Sequence, residues 1–201
     1  MATAARRNDP EASRTAILDA AETLFVAKGF EGVSMSEIAE QSGVAKSLIH
    51  HHFGTKEGLW AEVKKRRFGE YHAAQMALYA RGTVDAETIR ASMHAYFAFL
   101  CHYPQYMRLI QWMRLEEDRE CVDMVSEARR LGIERLAEAQ RNGTVRDDVP
   151  AEHVLMVFLA LCHAYSQEGQ FVEDGSDRRI EAEEYLATAW KTFERAMIVG
   201  A

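Results

Sequence analysis

"SMSEIAEQSGVAKSLIHHHFGTKEGLW", residues 34–60, carries two helix signals and a run of three histidines. Ser34 followed by Glu37 is a capping box, in which the hydroxyl accepts from the third backbone N–H while the carboxylate returns to the cap's own N–H. Ile38 and Ala39 then face inward, and Gly43 supplies a left-handed stop. Only Gly43 to Ala45 separates this helix from the next helical stretch. Helices joined by so short a turn cross steeply, which is the helix-turn-helix pattern.

The histidines invite a metal reading. With Ile49 taken as the inward direction of a helix, Ala45 and Phe53 share its side and His52 lies at the stripe's edge. Ser47 and His51 point outward, and Leu48 and His50 flank them. Three imidazoles that diverge do not share one tetrahedral ion. None of the eight histidines has another three or four residues away, and no HExxH or ExxH occurs. No metal and no cofactor is expected. The outward edge instead offers Lys46, Ser47, Leu48, His50 and His51 on a short helix with a second helix beside it. Such an edge suits insertion into a DNA major groove, with Leu48 near a thymine methyl, or else it is a solvated face of a small hairpin.

Upstream, Asp9-Pro10-Glu11 reads as an N-cap, a first-turn proline and a dipole-matching acid. Ile17, Ala20, Ala21, Leu24 and Phe25 follow at helical spacing until Gly29. Downstream, Thr55 caps a helix that begins at Lys56 and runs to about Ala80. A cation opposes the dipole at that first position, and a docked phosphate would turn the pair into an anion site.

The whole chain of 201 residues reads as helical: Ala, Glu, Leu, Arg and Met dominate, with 12 Gly and only 3 Pro. Hydrophobic content of 48% is ample for a core. The start has charges but no apolar h-region, and no run is long enough to span a bilayer, so a soluble, cytoplasmic protein is expected. Cys101, Cys121 and Cys162 lack any CxxC spacing and are expected as reduced, packed thiols. Net charge is −7, unevenly spread: residues 1–67 hold 10 Lys and Arg against 9 Asp and Glu, the remainder 14 against 22. One end is thus suited to a polyanion and the other repels it. The run KKRR at 64–67 is either a solvated face or a source of long-range attraction to DNA.

The stretch 33–60, with "ILDAAETLFVAKGF" at 17–30 before it, resembles the DNA-binding domain of the tetracycline-repressor-like (TetR) family of transcriptional regulators. The resemblance implies that Lys46, Ser47 and Leu48 approach bases, that His50 and His51 meet bases or backbone, and that Lys56 holds a phosphate. Ser34 and Thr55 would bind backbone at helix starts, or serve as caps alone. Ala45 departs from the pattern, standing where a capping Ser or Thr is common, and His50 and His52 replace frequent tyrosines. His52, half inward, is expected as a packed ring.

Further helices are expected near 86–102, 104–117 and 119–141, giving an all-α chain of about nine helices. Its divisions are a flexible arm at 1–9, a three-helix helix-turn-helix domain at 10–55, and a larger helical effector-binding and dimerisation domain at 56–201. Phe68, Tyr71, His72, Gln75, Met76 and Tyr79 share one stripe. Met93, Tyr96, Phe97, Leu100, Tyr106, Met107, Ile110, Met113, Val125 and Leu136 face inward from later helices, with His94 beside them. Large rings mixed with polar tips line either a core or a small-molecule pocket. Phe158, Cys162 and Tyr165 join this candidate ligand set.

"VLMVFLALCHAY", 154–165, is apolar on nearly every side and so must be covered all round. Past the loop EDGSD, Ile180, Leu186, Ala189, Trp190, Phe193 and Met197 form a long stripe. The two helices suggest a four-helix bundle with a two-fold mate, through Val154, Val157, Leu161, Leu186, Ala189, Trp190, Phe193 and Met197. In the family that the N-terminal motif resembles, the last two helices form the dimer interface.

The expected function is therefore a homodimeric repressor of a palindromic double-stranded operator, released by a small, largely apolar or aromatic effector. Helix four would be the lever between the two parts. A second reading keeps the DNA-binding head and makes the body a protein scaffold with no effector. An enzyme is disfavoured, since no nucleophile elbow, phosphate loop or metal spacing occurs. The Asn142-Gly-Thr sequon reads as a turn.

Overall fold

The computed structural model describes residues 9–79, 82–117, 119–168 and 180–200. Among these the chain is all-α, as expected, with α1 (Pro10–Lys28), α2 (Met35–Ser42), α3 (Lys46–Phe53), α4 (Lys56–Tyr79), α5 (Ala86–His102), α6 (Gln105–Leu115), α7 (Arg119–Arg141), α8 (Ala151–Glu168) and α9 (Ala182–Met197). The arm at 1–8, the loop EDGSD and the side chains of Tyr79, Cys121 and Val125 lie outside the described residues. No helix among those described is long and apolar enough to cross a membrane. Two compact units emerge: Met1–Gly69 with Arg108–Asp118, and Glu70–Met107 with Arg119–Ala201.

In the first unit, the Asp9 carboxylate accepts from the N–H groups of Glu11 and Ala12, with Pro10 in the first turn. From there α1 buries Ile17, Leu18, Ala21, Leu24 and Phe25, and both α2 and α3 pack on it. Phe25 meets Trp60 edge-on at 4.8 Å between centroids, and Ile38, Ile49, Leu59 and Val63 are fully enclosed.

KKRR is neither a solvated face nor a free cationic patch. Arg67 grips Glu22 of α1 through two bonds of 2.5 and 2.6 Å, and Arg66 pairs with Asp19 at 2.7 Å. Arg14 reaches back to Glu62. Lys64 is buried, with its ammonium 5.4 Å from the centre of the Trp60 ring. Only Lys65 stands well exposed, 3.7 Å from Glu62. The two arginines that a one-dimensional reading assigns to solvent are matched by acids of α1, which no local window contains.

In the second unit α8 is the hub, with α5, α7 and α9 packed on it. Its inward side carries Ala151, Val154, Phe158 and Cys162. Gly132 lets α7 come close: a Cβ there would lie 3.1 Å from Leu155 Cδ1. The stripe Ala189, Trp190, Phe193 and Met197, expected to face a second copy, is buried within this chain instead, as is Val154. Phe193 meets Phe158 edge-on at 5.9 Å and lies tilted against Trp190 at 6.0 Å. Periodicity says that a stripe is covered, not by which molecule. Val157, Leu161 and Leu186 are half-buried, and Met156 is 67% exposed.

Burial pushes the Cys162 thiol up to about 12, so it packs as a small apolar group. Cys101 is exposed rather than packed. Asn142 is a turn anchor: its amide donates to Val84 O at 3.1 Å and its oxygen accepts from Thr144 N at 3.0 Å.

Phe193→Ala should cost about 3–5 kcal/mol, since a fully buried ring leaves a cavity that its neighbours only partly fill. The denaturant midpoint followed by circular dichroism measures this.

Candidate nucleic-acid interface

Ala45 enters α3 with φ −59° and ψ 137° and offers no side-chain cap, as its methyl dictates. The helix is placed instead by its buried side. Ile49 is wholly enclosed and Phe53 nearly so, with the Arg14 guanidinium 5.4 Å from the Phe53 ring centre. Lys46, Ser47, His50 and His51 are exposed and Leu48 is half-exposed. The edge read from the helical wheel is therefore brought together on one surface.

Two of these side chains are held. Lys46 Nζ donates to Ser36 Oγ at 3.1 Å, a brace from α2 that the sequence reading missed. His50 Nδ1 lies 2.7 Å from Gly54 O. A carbonyl only accepts, so Nδ1 carries the proton, and in the neutral ring Nε2 is left as an acceptor. His52 is half-buried, its ring centre 6.0 Å from that of Phe53, and its buried Nε2 has no hydrogen-bond partner.

The helix starts are built from local chemistry. Ser34 Oγ accepts from Glu37 N at 3.2 Å, and Ser34 N donates to Glu37 Oε2 at 2.8 Å, completing the capping box. Lys28 Nζ sits 2.6 Å from Glu37 Oε1. The Lys28 ammonium first, and the Ser34 N–H second, hold the Glu37 carboxyl at about 2 against an ordinary 4.5. Thr55 Oγ1 accepts from Gly58 N at 3.2 Å, a cap of α4.

Lys56 differs from the expectation of an outward ammonium. It is half-buried and donates to Phe30 O at 3.0 Å and Val33 O at 3.1 Å, with Nζ 4.1 Å from the centre of the Phe30 ring. Two carbonyls of the α1–α2 turn and a ring face compete for the cation, and none of them is adjacent in sequence.

The candidate ligand residues divide between the units. Phe68, Ile110 and Met113 are buried but belong to the first. In the second, Met93, Tyr96, Phe97, Leu100, Met107, Phe158 and Cys162 are buried and Tyr71 and Tyr165 half-buried. His72, Met76 and His94 are exposed, each displaced from the buried stripe of its helix. Gln75 is buried and paired with Ser92, whose hydroxyl donates to Oε1 at 2.7 Å. The Tyr71 and Tyr96 rings meet at a tilt, 4.8 Å between centroids, and Tyr96 Oη lies 2.6 Å from His163 Nε2. Burial holds the Tyr96 phenol well above its ordinary range, so it is neutral, and it pairs with His163, a partner absent from the sequence-derived set.

Three outcomes follow. Ala45→Ser should stabilise the first unit by about 1 kcal/mol by supplying the missing cap, read as a rise in Tm. The stability Glu37 adds should be complete above pH 4.5 and fade as pH falls toward 2; in Glu37→Gln that part of the acid limb should be flat. Lys56→Met should lower thermal stability without DNA present, since it strands two carbonyls; an unchanged Tm would show that the two bonds contribute nothing.

Residues 17–63 match the family described as "Bacterial regulatory proteins, tetR family", and residues 91–195, more than half of the chain, match "Tetracyclin repressor-like, C-terminal domain". The HTH-type transcriptional activator FasR of Mycolicibacterium smegmatis is 32% identical over 97 residues, which cover 48% of this chain and 44% of that protein. The HTH-type transcriptional repressor SCO4008 of Streptomyces coelicolor is 24% identical over 158 residues, 77% of this chain and 79% of that one. Among solved structures, the protein SCO4942 from Streptomyces coelicolor shares the fold with a TM-score of 0.75 at 21% identity, over 92% of this chain and 98% of that one. With its helix-turn-helix and its C-terminal body both matched, the chain belongs to the TetR family of bacterial regulatory proteins and is a DNA-binding transcriptional regulator.

Proposed function

We propose that this regulator is a repressor that binds a palindromic operator as a homodimer through the outward edge of α3 and is released by a small, largely apolar or aromatic effector. The observation that carries the reading is the two-sidedness of α3. Ile49 and Phe53 anchor it, and Lys46, Ser47, Leu48, His50 and His51 are left on the other side. A single helix so presented fits a major groove.

In this reading Lys46, Ser47 and Leu48 approach base edges, and Leu48 meets a thymine methyl. His50 Nε2 accepts from an exocyclic amine while Nδ1 stays on Gly54, and His51 meets base or backbone. Ser34 and Thr55 sit at helix starts whose free N–H groups face phosphates. Lys56 contributes by fixing the α1–α2 turn rather than by gripping a phosphate. Residues 10–55 form the DNA-binding part and 56–201 the effector-binding and dimerising part, preceded by the arm at 1–9.

The second copy would meet the outward side of α8 and α9. Support comes from Met156, exposed on α8 where a monomer would favour a polar residue, with Ala160 and Ala164 nearby on the same side. For the effector, support comes from the interior of the second unit, where Tyr96 meets the rings of Tyr71 and Phe158 and Phe97 meets those of Tyr165 and Tyr185, with the Tyr96–His163 and Gln75–Ser92 pairs as polar stations. Few polar stations among many rings suit a flat apolar molecule carrying one or two polar groups. Release requires only that the effector bind the non-fitting state more tightly than the fitting one.

Operators selected by the protein from random duplexes test the reading. Lys46→Ala, Ser47→Ala and Leu48→Ala should each change sequence preference. Equal loss on every sequence from all three variants would contradict the assignment. Aromatic and apolar compounds that raise the Tm should include ones that free the operator; a stabilising set with no effect on DNA binding would remove the effector.

A further inference from the structure

The turn that follows α1 is gripped from α6, within the first unit. Trp112 Nε1 donates to Val26 O at 3.1 Å and Arg108 donates to Ala27 O at 3.3 Å. Both carbonyls lie in the last turn of α1, where no helical N–H follows to satisfy them. The chain then passes through Gly29 at φ 75° and ψ 176°. A Cβ at that position would lie 2.6 Å from Glu116 Oε1 and 2.8 Å from Trp112 Cε3. Just past α6, the Glu116 carboxylate accepts from Phe30 N at 3.1 Å and from Glu31 N at 3.3 Å. Its neighbour Glu117 holds φ 51°, a left-handed conformation that costs a non-glycine residue energy and persists only where its surroundings enforce it.

The far side of the same turn is held by Lys56 on Phe30 O and Val33 O. Ser34, the cap of α2, follows at once. The Glu116 latch, which ends on Glu31, therefore closes just before the cap of the helix that supports α3.

We infer that Glu116, seated by Trp112, is a positioning residue for operator binding: it fixes the α1–α2 turn so that α2 and α3 are oriented before DNA arrives. The inference rests on the outward edge of α3 being the DNA-facing surface. With the latch removed, the turn must be ordered at the moment of binding, and specific affinity falls by that cost. Non-specific affinity follows the count of phosphate contacts, which the latch does not alter. Loss of a carboxylate by itself favours a polyanion, so weaker binding by a Glu116 variant is not a charge effect.

The test compares the full-length protein with Glu116→Ala, Glu116→Gln and Trp112→Phe, on the operator selected by the wild type and on a scrambled duplex, at several salt concentrations. Glu116→Ala should bind the operator roughly tenfold more weakly, the scale of losing hydrogen bonds to a charged group. Glu116→Gln and Trp112→Phe should lose less, with scrambled-duplex affinity not reduced and the salt slope unchanged. Wild-type operator affinity in Glu116→Ala overturns the latch, and so does a parallel loss on both duplexes, which marks a structural defect. Should Glu116→Ala fail to fold, unchanged operator affinity in both other variants overturns it. Ser47→Ala in the same assay reports on the α3 surface alone: unaltered sequence preference there overturns the surface reading and leaves the latch data to be judged separately.

Discussion

A helix of eight residues does not hold itself in water, because nucleating its first turn costs more than so few bonds return. The exposed-edged helix α3 is such a helix, and it lacks a side-chain cap as well. Its position is set by Ile49 and Phe53, each contributing about 1.5–3 kcal/mol of burial, against α1 and α2. Every outward side chain inherits its direction from that pair. The polar edge is specific in orientation because the apolar edge has one place to go.

The charge distribution follows the same economy. Arg14, Arg66 and Arg67 are matched to acids on facing helices. Exposed pairs of this kind add little to stability, but Arg67 and Glu22 are both largely sheltered and bonded through both nitrogens and both oxygens, which makes that contact geometrically exacting. A near-neutral first third thus holds its cations internally where they brace α1 on α4. The exposed Lys46 on α3 stands outside these α1–α4 pairs, beside a remainder of the chain that carries excess acid.

Helix limits were legible wherever the chain carries its own punctuation. Asp9-Pro10, Ser34 with Glu37, and Gly43 all act within four residues, so a local pattern contains the whole interaction. The wheel position of Ile49 was legible for the same reason, and with it the edge from Lys46 to His51. Contacts between distant segments left no such trace. Nothing near Lys56 names Phe30 and Val33 as its acceptors, and nothing near Trp112 or Glu116 points 86 residues back. The α9 stripe shows a further limit: an apolar face looks alike whether its cover is the same chain or another. His72 and His94 were drawn into the ligand set by neighbourhood in sequence, although one step along a helix turns a side chain by more than a quarter of a circle.

Two glycines on either side of α2 are unequal in a way the sequence hides. Gly43 adopts an ordinary left-handed turn, φ 67° and ψ 15°, with no atom within 4 Å of a would-be Cβ. Asparagine, which tolerates that conformation, fits there at modest cost. Gly29 has an extended ψ that side chains avoid, and an indole and a carboxylate already occupy the space beside it. In a saturation library position 43 would therefore drift among a few small polar residues, while position 29 would return the parental codon set and nothing else.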